Sequence, residues 1–269
     1  MESTKYVHGY SNREALRLND QAETLDHIIH EDTIFPKYSF VLEAGCGVGA
    51  QTQIIAPKNP DSTFTSIDLS KDSINEAKKL INSLDITNVE FRQADIYNLP
   101  FKNETFDSVI ICFVLEHLHD TAQALNELKR VLKKGGTIIA IEGDHGSTFF
   151  YPDSKYAHLV IDSQIQLQRQ NGGNPNIGRE LYPLLKSIGL SDISVSPRVV
   201  YVDASKPQLV EGFIKNTFTA MIEGIGELAV KQGIIDHLTF DKGIKDLHRT
   251  TKPDGVFSYT FFKAIGTKI

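Results

Sequence analysis

The residues best suited to chemistry in this sequence are three glycines that directly follow a predicted strand. Gly45, Gly47 and Gly49 stand at alternate positions after an apolar run. Glycine tolerates positive φ and has no Cβ, so the backbone can turn tightly there and lie against a ligand. A strand, a glycine turn and a following helix form a corner typical of nucleotide-type binding sites, with the helix directing unpaired N–H groups at the ligand.

The spacing around these glycines fits two classes of ligand. The G-x-G-x-x-A run that begins at Gly45 satisfies the dinucleotide fingerprint, and Asp68 lies about 20 residues further on, where a ribose-binding acid belongs. The same stretch places Glu43 two residues before the first glycine and Gly49 two residues after the second. The loop alone therefore leaves open a dehydrogenase, another nucleotide-type site and a turn that binds nothing.

The elements that would position these residues alternate between strand and helix from residue 36 to 143. Strands are predicted at 38–43, 63–67, 89–93, 108–113 and 137–142, and helical patterns separate them. Such alternation predicts a parallel sheet with helices on both faces and a ligand crevice at the carboxyl ends of the strands. Glu43, Asp68, Asp95 and the run from Glu142 to His145 all fall at those ends. Because carboxylates contribute nothing to a core, this placement indicates a ligand.

The composition is that of an ordinary globular protein. The chain has 269 residues, is 41% hydrophobic and 23% charged, and carries a net charge of −6. No basic run predicts nucleic-acid binding, no apolar run is long enough for a membrane span, and the first residues lack the apolar core of a signal peptide. Two cysteines without zinc-ligand spacing predict reduced thiols, a cytoplasmic protein and no metal site.

Three motifs after the glycine loop separate the possible ligands. They are Gln93-Ala-Asp95-Ile-Tyr-Asn-Leu-Pro-Phe, Phe106-Asp-Ser-Val-Ile with Val114-Leu-Glu-His-Leu, and Val131-Leu-Lys-Lys-Gly-Gly-Thr-Ile-Ile. With the Glu43 loop, they resemble the class I S-adenosylmethionine (SAM) dependent methyltransferases. The nearest group is the small-molecule group that includes the ubiquinone/menaquinone-biosynthesis methyltransferases. The resemblance covers residues 38–265, and an N-terminal segment with Tyr10 and Arg17 adds to it more weakly.

This resemblance implies a fold and a set of cofactor-binding residues. The fold is an α/β, Rossmann-like sheet of seven mostly parallel strands in the order 3-2-1-4-5-7-6, with the last strand antiparallel, helices on both faces and a helical lid. Asp68 would accept from the ribose hydroxyls, because a carboxylate offers two acceptor oxygens. The remaining implied contacts are Tyr10, Arg17, Glu43, Gly45, Cys46, Gly47, Gly49, Leu69, Asp95, Ile96, Cys112 and Phe113. For Leu69, Ile96 and Cys112 an ordinary core position is the alternative.

The catalytic candidates follow the fifth predicted strand. A general base is needed only if the acceptor carries a proton of high pKa, and His145 and Tyr151 are the first choices, with His117 and His119 behind them. The alternative for His145 is a solvated loop histidine. The Asp/Asn-Pro-Pro-Tyr motif of base-amino methyltransferases is absent after the fourth strand, which disfavours a nucleic-acid acceptor.

The domain organisation follows from these elements. We predict an N-terminal helical cover at 1–35, a SAM-binding core at 36–145, an insertion or lid at 146–177, a core continuation at 178–204, a helical lid at 205–250 and a last strand at 251–269. The predicted function is methyl transfer from SAM to a small or medium-sized, partly apolar acceptor, without nucleic acid or membrane as partner. An NAD-type dehydrogenase and a non-catalytic SAM-binding module remain the alternatives.

Overall fold

A seven-stranded sheet forms the centre of the molecule. The computed structural model describes residues 12–269, without the side chains of Asn12, Arg13 and Ala15, so the predicted contact Tyr10 lies outside the described residues. The strands are β1 (Phe40–Ala44), β2 (Thr63–Asp68), β3 (Val89–Gln93), β4 (Phe106–Cys112), β5 (Leu132–Tyr151), β6 (Leu190–Asp203) and β7 (Val256–Lys268). Their spatial order is β3-β2-β1-β4-β5-β7-β6.

The pairing of the strands confirms the predicted topology. β1 pairs in parallel with β2 and β4, β2 pairs in parallel with β3, and β4 pairs in parallel with β5. β7 runs antiparallel between β5 and β6. The carboxyl ends of β1, β2 and β4 consequently meet at one edge, and the strand order reverses between the neighbours β1 and β4 in the middle of the sheet.

Helices cover both faces of this sheet. They are α1 (Asn12–Ile29), α2 (Thr52–Lys58), α3 (Lys71–Ser83), α4 (Thr121–Val131), α5 (Lys155–Gln170), α6 (Leu181–Ser187), α7 (Pro207–Leu209), α8 (Ala220–Gly224), α9 (Gly226–Lys231) and α10 (His237–Arg249). A 3₁₀ turn, Leu115–His117, follows β4, and a π-helix, Val210–Thr219, joins α7 to α8. Side chains cap two of these helices: Ser70 accepts from Ser73 N at the start of α3, and Asp120 accepts from Gln123 N at the start of α4.

The fifth strand is much longer than the sequence pattern predicts. It continues past Glu142 to Tyr151, because Phe149, Phe150 and Tyr151 pair with Ser258, Phe257 and Val256 of β7. The aromatic stretch that was expected to begin an insertion is therefore part of a strand. This partner comes from the far end of the chain, more than 100 residues away, so local periodicity carries no trace of it.

Two helical segments have bounds that the sequence analysis leaves open. α2 begins at Thr52, three residues after Gly49, and Gln51 before it is already in the helical region. The first part of the predicted helical lid at 205–250 is divided into α7, the π-helix, α8 and α9.

The core has a large layer on one face of the sheet and a smaller one on the other. α1, α5, α10 and the π-helix pack on the first face, and α4 and α6 on the second. On α1 the residues that enter the core are Ala22, Leu25 and Ile29, whereas Leu16 is exposed. α1 thus covers the sheet as an amphipathic helix, one of the two roles weighed for it.

Candidate functional site

The glycine turn after β1 is held by β2 and left open at its centre. Gly45 N and Cys46 N donate to Ile67 O at 2.8 and 2.9 Å. Gly45 has φ +76° and its missing Cβ would lie 2.4 Å from Val114 Cγ2, so the next strand's loop closes on it. Gly47 has φ +53°, and no described atom lies within 4 Å of where its Cβ would be. The backbone therefore presents a bare surface at Gly47.

Asp68 links the end of β2 to this turn. Its Oδ2 accepts from Gly47 N at 2.9 Å, and its Oδ1 accepts from Ser70 N at 2.8 Å. Burial raises the pKa of the Asp68 carboxyl, against these backbone hydrogen bonds, which lower it. Each oxygen keeps lone-pair capacity beyond its single backbone donor. The carboxyl is thus held in place and can still accept from a diol.

Glu43 lies beneath the turn and organises it. Its Oε2 accepts from Thr52 Oγ1 at 2.7 Å and from Ser66 Oγ at 2.6 Å, which joins the start of α2 to β2. The side chain is buried, and burial raises the pKa of the Glu43 carboxyl. The predicted organising role of Glu43 matches these two bonds.

The residues after β2 and β3 lie next to one another at the same edge. Ala94 N donates to Asp68 O at 3.0 Å, which places Asp95 beside the end of β2. Asp95 is exposed, and its Oδ1 accepts from Tyr97 N at 2.9 Å. Leu69 is 60% exposed, so the alternative of an ordinary core position is wrong for it. Ile96 is half-buried and packs against the core layer of α4 and α6.

The end of β4 supplies a thiol and a ring. Burial raises the pKa of Cys112, and of Cys46 in the glycine turn, well above the ordinary thiol range. Phe113 has φ +58°, a conformation that side-chain-bearing residues rarely adopt and that clusters at functional sites. Phe113 N donates to Ile141 O at 2.9 Å, and the Phe113 ring lies 5.3 Å from the ring of Phe261.

Arg17 on α1 is buried and engaged with its own helix. Its Nε and Nη2 donate to the two oxygens of Glu14 at 2.8 and 2.6 Å, and its Nη1 donates to Gln21 Oε1 at 2.9 Å. The carboxylate that Arg17 meets in this structure is therefore that of Glu14.

A buried polar cluster lies between the turn that follows β4 and the middle of β5. His145 is only 7% exposed, so the alternative of a solvated loop histidine is wrong. His145 Nδ1 and the Tyr259 hydroxyl are 3.0 Å apart, and His145 Nε2 lies 3.9 Å from Glu116 Oε2. Burial lowers the pKa of His145 and of its neighbour His117, which keeps both rings neutral.

The other catalytic candidate stands apart from this cluster. Tyr151 ends β5, pairs with Val256, and is 59% exposed. Its ring faces solvent, several residues along β5 from His145.

Three members of the cluster were missed by sequence reasoning. Glu116 follows β4, Gln168 lies on α5, and Tyr259 lies on β7; Gln168 Nε2 donates to Glu116 Oε2 at 3.0 Å. Glu116 could have been found, because it stands just past a predicted strand end. Gln168 and Tyr259 carry no such signal, since their neighbours are distant in the chain.

Comparison with known proteins adds a domain match. Residues 42–140 match a family model described as a methyltransferase domain. An uncharacterized methyltransferase of Schizosaccharomyces pombe is 35% identical over 147 residues, which are 52% of this chain and 52% of that protein. A demethylmenaquinone methyltransferase of Listeria welshimeri is 32% identical over 103 residues, 38% of this chain and 44% of that protein. The chain spans about half the length of these relatives.

Solved structures share the fold at low sequence identity. A phosphoethanolamine N-methyltransferase of Haemonchus contortus, solved with phosphomonomethylethanolamine and S-adenosylhomocysteine, has a TM-score of 0.54 at 17% identity, over 87% of this chain and 50% of that chain. The [4+2]-cyclase SpnF has a TM-score of 0.55 at 16% identity, over 93% and 81%. Such identities establish the fold and leave the reaction to the site. Within residues 12–269, no helix is both long and apolar enough to cross a membrane.

Proposed function

We propose that this chain, which carries a methyltransferase domain on the class I fold, transfers a methyl group from SAM to a small or medium-sized, partly apolar acceptor. The match over residues 42–140 to a methyltransferase-domain model and the sheet order support the family inferred from the sequence motifs. The antiparallel β7 between β5 and β6 disfavours the alternative of an NAD-type dehydrogenase, whose nucleotide-binding sheet is parallel.

One observation carries the proposal. The Asp68 carboxyl bonds to the backbone of Gly47, at a point where the turn has open space in front of it. A nucleoside placed there would meet the two carboxyl oxygens of Asp68 at its ribose and the backbone of Gly47, without a side chain, along the rest of its length. The residues present therefore fit an adenosyl group.

The other cofactor contacts follow from their places along the same edge. Asp68 would accept from the ribose hydroxyls, and the exposed Leu69 would lie against the adenine, with Ile96 beside it and Asp95 accepting the adenine amino group. Gly45, Cys46, Gly47 and Gly49 would lie along the methionine part, and Cys112 with Phe113 beside the sulfonium. Tyr10 and Arg17 remain predicted contacts from the N-terminal segment.

The bound SAM would supply an activated methyl on a sulfonium. The chain's part in an in-line displacement is to hold the acceptor atom at about 3–3.5 Å in the correct direction and to exclude water. Aromatic rings such as Phe113 favour a neighbouring cation. The buried polar cluster around His145, Gln168 and Tyr259 provides the dry surroundings.

For proton removal we propose His145 ahead of Tyr151. His145 is neutral and can accept a proton, and the Tyr259 hydroxyl at its Nδ1 fixes the ring. Tyr151 is exposed at the end of β5 and would reach an acceptor only at the mouth of the site. We further propose a cytoplasmic location, which the two free thiols support, and no nucleic-acid partner, which the net charge of −6 supports.

Titration calorimetry with SAM and with NADH tests the cofactor. We expect SAM to bind and NADH to give no heat, and the reverse result would establish the dehydrogenase. Release of S-adenosylhomocysteine during incubation with cell extract tests turnover. Binding of SAM without such release would favour a non-catalytic SAM-binding module.

A further inference from the structure

A buried carboxyl in the middle of β5 has an oxygen that the described part of the chain leaves without a partner. Glu142 is 0% exposed, and its Oε1 accepts from Val114 N at 3.0 Å and Leu115 N at 2.7 Å. Its Oε2 has no hydrogen-bond partner among these residues. A buried polar atom without a partner is costly, so such atoms mark positions that water, an ion or a ligand fills.

Among the described residues, the charged group that acts most strongly on Glu142 is another acid, Glu116. The charge of Glu116, together with burial as the larger cause, raises the pKa of Glu142 well above the ordinary range. The nearby imidazoles of His117 and His145 are kept neutral by burial.

Two arginines of this region form two-point pairs with other acids. Arg179 pairs with Asp144, at 2.8 and 2.7 Å. Arg17 makes a similar pair with Glu14.

Aromatic rings adjoin these acids. The rings of Tyr259 and Phe261 are 4.7 Å apart, and Phe113 lies next to Phe261. Glu116 and Glu142 both act on Tyr259, where burial is the main reason that the pKa of the phenol is raised well above its ordinary value. Aromatic faces and carboxylates both attract cations and repel anions.

We propose that the acceptor is an amine, and that Glu142 Oε2 binds its nitrogen. This rests on the proposed methyl transfer. An acceptor that arrives as an ammonium passes one proton to His145, the base proposed above, which leaves a neutral amine. The nitrogen lone pair then forms the bond to the methyl carbon as the methyl–sulfur bond breaks toward sulfur. The product is a methylated ammonium, and the proton on His145 returns to solvent.

An anionic acceptor, such as a carboxylate or a phosphate, would be disfavoured beside Glu116, whose charge already acts on Glu142.

The test is a binding experiment on the full chain saturated with S-adenosylhomocysteine. The probes are matched pairs that differ only in nitrogen against oxygen: benzylamine and benzyl alcohol, 2-phenylethylamine and 2-phenylethanol, hexylamine and hexanol. The readout is the melting temperature and the dissociation constant. We expect at least one amine to bind more tightly than its alcohol.

The variant Glu142→Gln keeps an oxygen for Val114 N and Leu115 N, so it preserves the fold contacts. This variant should raise the dissociation constant of the amine at least about 30-fold, as expected when one partner of a buried charge pair is truncated. The affinity for S-adenosylhomocysteine should not change. The control Glu76→Gln alters an exposed carboxylate on α3 and should change neither affinity.

Three outcomes would overturn the inference. The first is equal binding of amines and alcohols, which would leave only water at Glu142 Oε2. The second is a preference for the amine that survives in Glu142→Gln. The third is a loss of affinity for S-adenosylhomocysteine in that variant, which would assign Glu142 to the cofactor. If S-adenosylhomocysteine fails to stabilise the unmodified chain, the proposed function itself is wrong, and the two failures are thereby distinguished.

Discussion

Replacing Asp68 by alanine removes the one carboxyl that connects β2, the glycine turn and the proposed ribose position. Two backbone donors, Gly47 N and Ser70 N, lose their acceptor in this variant. A hydrogen bond to a charged acceptor contributes about 1.5–3 kcal/mol, and water replaces part of what a ribose loses. We therefore expect a loss of about 1.5–3 kcal/mol in binding, which is about 10- to 150-fold in the dissociation constant of SAM.

The same substitution should leave the fold intact. The two lost backbone hydrogen bonds cost about 1 kcal/mol each, and removal of a buried acid whose pKa is raised by burial offsets part of that cost. Asp68→Asn keeps one acceptor oxygen, so its affinity for SAM should lie between those of the unmodified chain and of Asp68→Ala. Asp72→Ala, an exposed acid in the first turn of α3, is the matched control.

Calorimetry with SAM and S-adenosylhomocysteine gives the affinities, and urea denaturation gives the free energy of unfolding. The folded-state pKa of Asp68 is raised. As the pH is lowered, Asp68 should therefore become protonated, and the affinity for SAM should fall, at a higher pH than for an aspartate of ordinary pKa. An unchanged dissociation constant in a folded Asp68→Ala protein would refute the ribose assignment and the reasoning built on it.

Three further results are expected. Gly47→Ala and Gly135→Ala both place a Cβ at positive φ with no described atom within 4 Å, so each should lower the free energy of unfolding by about 1–2 kcal/mol, but only Gly47→Ala should weaken S-adenosylhomocysteine binding in calorimetry; equal binding by both variants would place the cofactor elsewhere. Burial acts to raise the pKa of Asp32, but hydrogen bonds from Lys263 and Arg198 outweigh it and bring the pKa to about 2. Since this folded value lies below the unfolded value of about 3.9, the stabilisation by Asp32 is complete above pH 3.9 and is lost as the pH falls to about 2. In urea titrations across that range, Asp32→Asn should therefore lose less stability than the unmodified chain. Equal losses in the two proteins would contradict the ion pair. His145→Asn should lower turnover by about 100-fold or more without changing S-adenosylhomocysteine affinity, whereas Tyr151→Phe should lower it less, and the opposite ranking would make Tyr151 the base.

The sequence by itself determined the first four strands of the sheet and the edge at which the candidate site lies. Alternating strand and helix patterns give β1 to β4 within two residues of their observed bounds, because these strands are short and β1, β2 and β4 are largely buried. Gly45, Gly47 and Asp68 could be assigned together, since a parallel sheet brings consecutive strand ends to one edge whatever the side chains between them. The order of β5, β7 and β6 came from the resemblance to a family and not from the pattern of residues.

Only the tertiary structure decided the length of β5 and the surroundings of its buried polar residues. The extension of β5 to Tyr151 requires β7, and the burial of His145 requires Tyr259, which lies more than 100 residues further along the chain. The same holds for the unpaired oxygen of Glu142, because a sequence shows an acid at a strand end but not which of its two oxygens the neighbouring loop uses. Local periodicity reports the face that an element buries, whereas hydrogen-bond partners and proton affinities depend on what long-range packing places opposite that face.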